Sequence, residues 1–349
     1  MGSGSPRFSV VVPTRNRASL LTESALRSVL RQSFEDFEVV VVDNASADDT
    51  GAAVRALHDS RLRYVRAERW IPKEDFFQFA LDQAAGEYCT LFFDDDALIV
   101  RALELADVSL RSQPADILSY SRACVYHFPN WHESTRRNVL TVPPYTAKLF
   151  AVPSHQHLRE VYARMDLLLA TPMVSNAFYR TAFLRRVIQD RPRLFPHGHM
   201  GDYNIAAWTL WSTAQDFLYL DYPLAVFGHW KENTSAQLHD LQTTMPEYQE
   251  WIAWMMKAFL AKMPLQTYTW MNAVAAALLD MQQPLQLPFG VDPTTYLGEF
   301  LRELDRLVDV VRVVDVAAGV VPAAGVGLLR GHSLARAFGE LAVAILARR

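Results

Sequence analysis

The stretch Tyr88-Cys89-Thr90-Leu91-Phe92-Phe93-Asp94-Asp95-Asp96 decides the fold. Its first six residues form a largely apolar run, which reads as a strand buried on both faces. Gly86, just ahead of it, reads as the end of a helix. Aspartate has low strand propensity, so the acidic triplet belongs just past the strand's end. In open α/β sheets the ligand crevice lies outside the carboxyl ends of the strands. Asp94 and Asp96 are two residues apart, so in extended backbone they point the same way. Two carboxylates on one side make a hard oxygen site for Mg²⁺ or Mn²⁺, the kind that also holds substrate phosphates. Taken alone, a solvated acidic turn explains the triplet equally well, and the rest of the chain has to decide.

Working back from the triplet, residues 8–12 are an apolar, β-rich run ending at Pro13. The loop Arg15-Asn16-Arg17 follows. Leu20, Leu21, Ala25, Leu26, Val29 and Leu30 then recur at helical spacing. A second continuous strand over residues 37–42 leads into Asp43-Asn44-Ala45-Ser46, and Asp48 or Asp49 is placed to cap the next helix. Residues 62–65 predict a third strand and residues 76–85 a helix. Strands alternating with helices over short connections imply a parallel, doubly wound sheet. Its right-handed crossovers bring Thr14-Arg15, Asp43-Asn44 and the triplet to one edge.

Beyond the triplet, residues 102–110 read as helical and 117–120 as extended. Residues 127–152 show little periodicity. Residues 172–179 read as a strand leading into a helix over 181–188. A helix is expected from Asp202, and 217–226 is extended and broken at Pro223. After about residue 237 the pattern turns mainly helical, with apolar helices expected over 251–263, 268–281, 297–314 and 334–346.

The chain has 349 residues, 50% of them hydrophobic, which suits one large domain with an appendage. A net charge of −4 with no basic run argues against nucleic acid as a partner. Cys89 and Cys124 lie in apolar stretches without metal-ligand spacing, which predicts reduced core thiols and a cytoplasmic protein. Residues 1–7 read as a flexible leader with no signal peptide. No apolar run reaches the roughly 18 residues that a membrane span needs.

Three N-terminal segments together resemble the nucleotide-sugar-binding half of family 2 glycosyltransferases, inverting enzymes of the GT-A fold. They are Val10-Val11-Val12-Pro13-Thr14-Arg15-Asn16-Arg17, Val41-Val42-Asp43-Asn44-Ala45-Ser46, and Gly86-Glu87-Tyr88 leading into Asp94-Asp95-Asp96. Phe77-Gln78-Phe79-Ala80-Leu81 resembles the helix that the family places before its acidic strand. Gly201-Asp202 resembles the catalytic-base segment. Phe227-Gly228-His229, followed by Asn233-Thr234-Ser235, resembles the segment carrying a metal-binding histidine. The resemblance covers roughly residues 8–235. It implies a nucleotide-sugar half over 8–120 and an acceptor half over 121–236, followed by a helical region over 237–349 that resembles nothing comparable. Many members carry a second acid where this chain has Asn44. An amide both donates and accepts hydrogen bonds, so UDP-, dTDP- and GDP-sugars all remain open as donors.

The resemblance assigns chemistry residue by residue. Asp96 is the main ligand of Mg²⁺ or Mn²⁺, and Asp94 is a second ligand or a partner of the ribose. Asp95 either meets the sugar or structures the turn. Pro13, Thr14, Asp43 and Asn44 line the nucleotide site, although an Asx-turn would also explain the last two. Arg15 and Arg17 pair with diphosphate oxygens or are ordinary surface arginines. His229 is a third metal ligand, with a packed or solvent-facing histidine as its bland alternative. Asp202 is the general base that takes the acceptor's proton, with a helix cap as its bland alternative. The acceptor is a hydroxyl on a glycan, a lipid-linked chain or a small molecule. Trp131, Tyr145, Tyr162 and Tyr203 are candidates for stacking on it or for the core.

Two competing functions are a nucleotidyltransferase acting on sugar phosphates and an inactive nucleotide-sugar-binding protein. The first expects a glycine-rich, lysine-containing loop after the first strand, which Pro13-Thr14-Arg15-Asn16-Arg17 is not. The pairs His155/His157 and His197/His199 lack a third ligand for zinc, so they read as ordinary loop histidines. The last helix, with Leu334, Phe338, Leu341, Ala342 and Ile345 on one stripe, is expected to pack or build a homodimer in preference to lying on a membrane.

Overall fold

A computed structural model describes residues 4–122, 124–130, 137–166, 170–189, 201–229, 270–299 and 302. The parallel core forms as its sequence dictates. β1 (Phe8–Thr14) is buried along its whole length and pairs in parallel with β2 (Phe37–Asp43). β2 pairs in parallel with β3 (Leu62–Arg66), and β1 pairs on its other side with β4 (Tyr88–Leu91). Alternation along these strands feeds two separate apolar layers. Val11, Val40 and Val42 face one layer, while Val10, Val12, Val39 and Val41 face the other.

One layer is closed by a helical rod over residues 18–29 and by the helix Ala102–Ser112. The rod's middle turn, Leu21–Leu26, is π-wound. The other layer is closed by Lys73–Leu81, Ser154–Arg164, Thr181–Gln189, Gly201–Ser212 and Trp270–Leu285. Tyr162 Oη donates to the Leu278 carbonyl at 2.8 Å, which fastens this part of the C-terminal region to the core.

β5 (Ala97–Leu98) follows the triplet directly. The later strands are β6 (Ile117–Tyr120), β7 (Val125–His127), β8 (Val139–Thr141), β9 (Leu149–Val152), β10 (Ala177–Arg180), β11 (Phe217–Leu220) and β12 (Ala225–His229). The large sheet has the order β3-β2-β1-β4-β10-β6-β11-β9. β6 and β11 pair in parallel and run in the same direction as β1–β4, so only β10 and β9 are reversed. β10 runs antiparallel to both β4 and β6, and β9 runs antiparallel to β11. A second sheet, β5-β12-β7-β8, stands beside it.

Several expected elements shift. The strand expected over 172–179 starts later, at Ala177. The extended segment 217–226 is two strands in different sheets, separated at Tyr222-Pro223. Within 127–152, β8 and β9 are short edge strands with exposed side chains, so they lack the apolar alternation by which strands are recognised. The helices expected over 251–263 and 334–346 lie outside the described residues, as do Trp131, His197, His199 and Asn233-Thr234-Ser235. So does nearly all of the helix expected over 297–314. Among the described residues, no helix is long and apolar enough to cross a membrane.

Candidate active site

The carboxyl ends of β1, β2 and β4 meet at one edge, as the parallel register requires. Thr14 lies opposite Asp43, and the Asn44 N–H donates to the Thr14 carbonyl at 2.9 Å. Asn16 adopts a left-handed φ of 54°, a conformation that asparagine tolerates. Its N–H donates to Ser46 Oγ at 2.8 Å and its Oδ1 accepts from the Ala47 N–H at 2.7 Å. The two loops are therefore fastened together by their own hydrogen bonds.

The acidic triplet does not stay extended. The Asp96 N–H donates back to the Phe93 carbonyl at 3.2 Å, which closes a turn and separates the two outer carboxylates. Asp94 faces the first loop. Its Oδ2 accepts from Thr14 Oγ1 at 2.8 Å, and its Oδ1 pairs with Arg17 Nη1 at 2.8 Å. Asp96 faces the second sheet. Its Oδ1 accepts from the Gly228 N–H at 2.9 Å, while its Oδ2 is buried with no hydrogen-bond partner. Burial first, and then the neighbouring Asp95 charge, push the Asp96 carboxyl well above the usual carboxylate range. Asp95 is buried too, and its carbonyl lies against Gly228. Ser24, in the π-wound turn, donates to the Asp96 carbonyl at 2.9 Å.

β12 is held tightly against this turn. It pairs antiparallel with β5 and parallel with β7. A methyl group at Gly228 would overlap the Asp95 carbonyl oxygen, so only glycine permits this approach. The next residue, His229, lies opposite His127, with the rings 5.2 Å apart and nearly perpendicular. Burial and then the proximity of His127 pull His229 down to about 4, so its ring is neutral at pH 7, the form that ligates metals.

At the other end of the edge, Asp43 is fully buried and used by the fold. Its Oδ1 accepts from the Ser46 N–H and Oγ, at 2.9 and 2.5 Å. Its Oδ2 accepts from Tyr64 Oη at 2.5 Å, with Arg66 at 3.5 Å. Asn44 makes a reciprocal pair with Ile71, donating to its carbonyl and accepting from its N–H, both at 2.8 Å. Arg15 is not with Arg17. It sits over the Trp70 ring, 5.9 Å from the centroid.

Asp202 is the second residue of Gly201–Ser212, within the first helical turn as expected; its side chain lies outside the described features. The 155/157 histidines lie not in the expected loop but in the first turn of the helix Ser154–Arg164, where each packs against a neighbour. His155 lies against Trp211, whereas His157 is buried on Thr171 Oγ1 at 2.8 Å. Tyr162 and Tyr203 are core residues, and Tyr145 is exposed against Tyr222. Both cysteines are free and buried.

No three His, Cys, Asp or Glu side chains converge on one point among the described residues. A divalent cation nevertheless fits at Asp96. A buried carboxylate oxygen with no donor is a costly arrangement, which a cation would relieve. Such ions commonly take one or two carboxylates, with phosphates and water completing the shell. Both Asp94 oxygens already accept one hydrogen bond, from Thr14 and Arg17, and each keeps a further lone pair. The sequence reading missed Ser24, Tyr64, Ile71, Trp70 and His127. Only pairing across the chain reveals them, although Gly228 was visible inside the Phe-Gly-His segment.

Residues 9–157 match the family described as glycosyl transferase family 2. A GalNAc(5)-diNAcBac-PP-undecaprenol beta-1,3-glucosyltransferase of Campylobacter jejuni is 41% identical over 101 residues, 28% of this chain and 32% of that protein. A validoxylamine A glucosyltransferase of Streptomyces hygroscopicus subsp. jinggangensis is 48% identical over 66 residues, 18% of this chain and 15% of that protein. The chain thus spans about a third or less of the length of these relatives. Among solved structures, S. aureus TarS 1-349 in complex with UDP aligns with a TM-score of 0.51 and 20% identity, covering 80% of this chain and 82% of that one. The shared architecture is the GT-A fold. The family 2 match ends at residue 157, short of Asp202 and His229.

Proposed function

We propose that this chain transfers a sugar from a nucleoside-diphosphate sugar to an acceptor hydroxyl, by single displacement with inversion. The observation that carries the reading is Asp96, buried with an unpartnered Oδ2 at the carboxyl edge of the sheet, within the residues that match glycosyl transferase family 2. Asp96 would hold Mg²⁺ or Mn²⁺, with neutral His229 as a further ligand. A divalent ion there supplies Lewis-acid stabilisation of the leaving diphosphate. Arg17 is poised at the same edge. Its guanidinium can leave Asp94 for a diphosphate oxygen, freeing Asp94 for the ribose or the metal. Asp202, at the start of its helix, takes the acceptor's proton from the face opposite the leaving group.

The undecaprenol-linked acceptor named for the C. jejuni relative is not carried over, because the match covers only 28% of this chain and 32% of that protein. The division at residues 120 and 236, the cytoplasmic setting, and a homodimer through the C-terminal helices remain part of this proposal. A panel of UDP-, dTDP- and GDP-sugars incubated with Mn²⁺ tests it. Release of nucleoside diphosphate from one of them supports transfer. Pyrophosphate formed from a nucleoside triphosphate would instead support nucleotidyl transfer, and tight binding without release would support an inactive binding protein.

A further inference from the structure

We infer that Trp70 and Arg15 form a stacking ledge for the nucleobase of the donor; this rests on the donor reading above. The segment after β3 is tied twice to the end of β2. The Ala67 N–H donates to the Asp43 carbonyl at 2.8 Å, and Ile71 pairs through both backbone groups with the Asn44 amide. Trp70 lies between these ties, so its position is set by the same strand end that was expected to read the base. It is nevertheless 50% exposed, an unusual place for so large an apolar surface. Arg15 follows directly on β1 and covers the indole, while its Nε is buried and has no hydrogen-bond partner.

Two consequences follow from this arrangement. Asn44 gives one N–H and its side-chain carbonyl to Ile71, so it ties the ledge to the end of β2. Recognition then rests on a π surface beside a cation. Every base offers a π face, so such a surface accepts pyrimidines and purines alike. The triplet lies on the far side of β1 from β2 and β3. A base at Trp70 therefore directs the diphosphate across β1 toward Arg17 and Asp96.

Calorimetric titration with UDP, GDP and inorganic pyrophosphate, each with Mn²⁺, tests the inference on wild type, Trp70→Ala and Trp70→Phe. Stacking predicts that Trp70→Ala weakens both nucleoside diphosphates about tenfold or more and leaves pyrophosphate unchanged. Trp70→Phe should restore most of the loss. Unchanged UDP and GDP binding in Trp70→Ala overturns the ledge while leaving the donor reading in place. A parallel loss of pyrophosphate binding also overturns it, since the effect would then not be on the base. Wild-type protein that binds neither UDP nor GDP overturns the donor reading and the ledge together.

Discussion

The Gly228 N–H donates to Asp96 Oδ1 at 2.9 Å, joining residues 132 positions apart. The last carboxylate of the triplet is thereby held by a strand from the far end of the GT-A domain. The acidic turn cannot take its final shape until β12 has docked between β5 and β7. Any ion bound at Asp96 would be linked to that docking, and therefore to stability.

Gly228→Ala is the simplest disturbance of this contact. The added methyl meets the Asp95 carbonyl, which is backbone and cannot rotate away. Overpacking of this kind costs roughly 1–3 kcal/mol. Thermal unfolding should show a lowered Tm, accompanied by weaker Mn²⁺ binding. An unchanged Tm would mean that β12 does not press on the turn.

Asp202→Asn should keep donor binding and lose turnover, because an amide cannot accept the acceptor's proton. General bases typically contribute about 10²–10⁴-fold. Donor affinity by calorimetry beside kcat by diphosphate release separates the two effects. Near-normal kcat, or failure to bind the donor, would remove Asp202 from the role of base.

His157 makes a prediction about acid stability. Burial pulls its pKa from 6.5 to about 4. The unfolded chain therefore binds a proton that the folded chain refuses between these values. Stability is full above about 6.5 and is lost as pH falls toward 4. At 1.36 kcal/mol per unit the loss is roughly 3 kcal/mol. His157→Gln removes this titration and can still hydrogen-bond Thr171. Urea unfolding at pH 7 and pH 5 should show a smaller acid loss for the variant. Equal losses would assign the acid sensitivity to other groups.

The parallel half of the fold was legible because β1, β2 and β4 are continuous apolar runs buried on both faces, while β3 at the edge is only half-buried. Residues 8–12, 37–42 and 62–65 each became a strand extended by one or two residues. Gly201-Asp202 opened a helix as expected. What stayed hidden depends on partners distant in sequence. The insertion of β10 against β4 rests on a pairing across about ninety residues, Arg180 with Tyr88, that no local pattern encodes. The small sheet is built from strands of two to five residues, below the length at which alternation can be read. At the site, the identities of Asp94 and Asp96 were plain. Their divergence was not, because it follows from a single backbone hydrogen bond to Phe93 and from Thr14, Arg17 and Gly228.

The central claim is that Asp96 holds a divalent cation beneath the donor diphosphate. Electron paramagnetic resonance of Mn²⁺, titrated into protein with saturating nucleoside diphosphate, tests it most directly. Wild-type protein should deplete the free Mn²⁺ signal to a stoichiometry of one, and Asp96→Ala should leave the signal at the level given by nucleotide alone. Equal Mn²⁺ binding by wild type and Asp96→Ala would contradict the account.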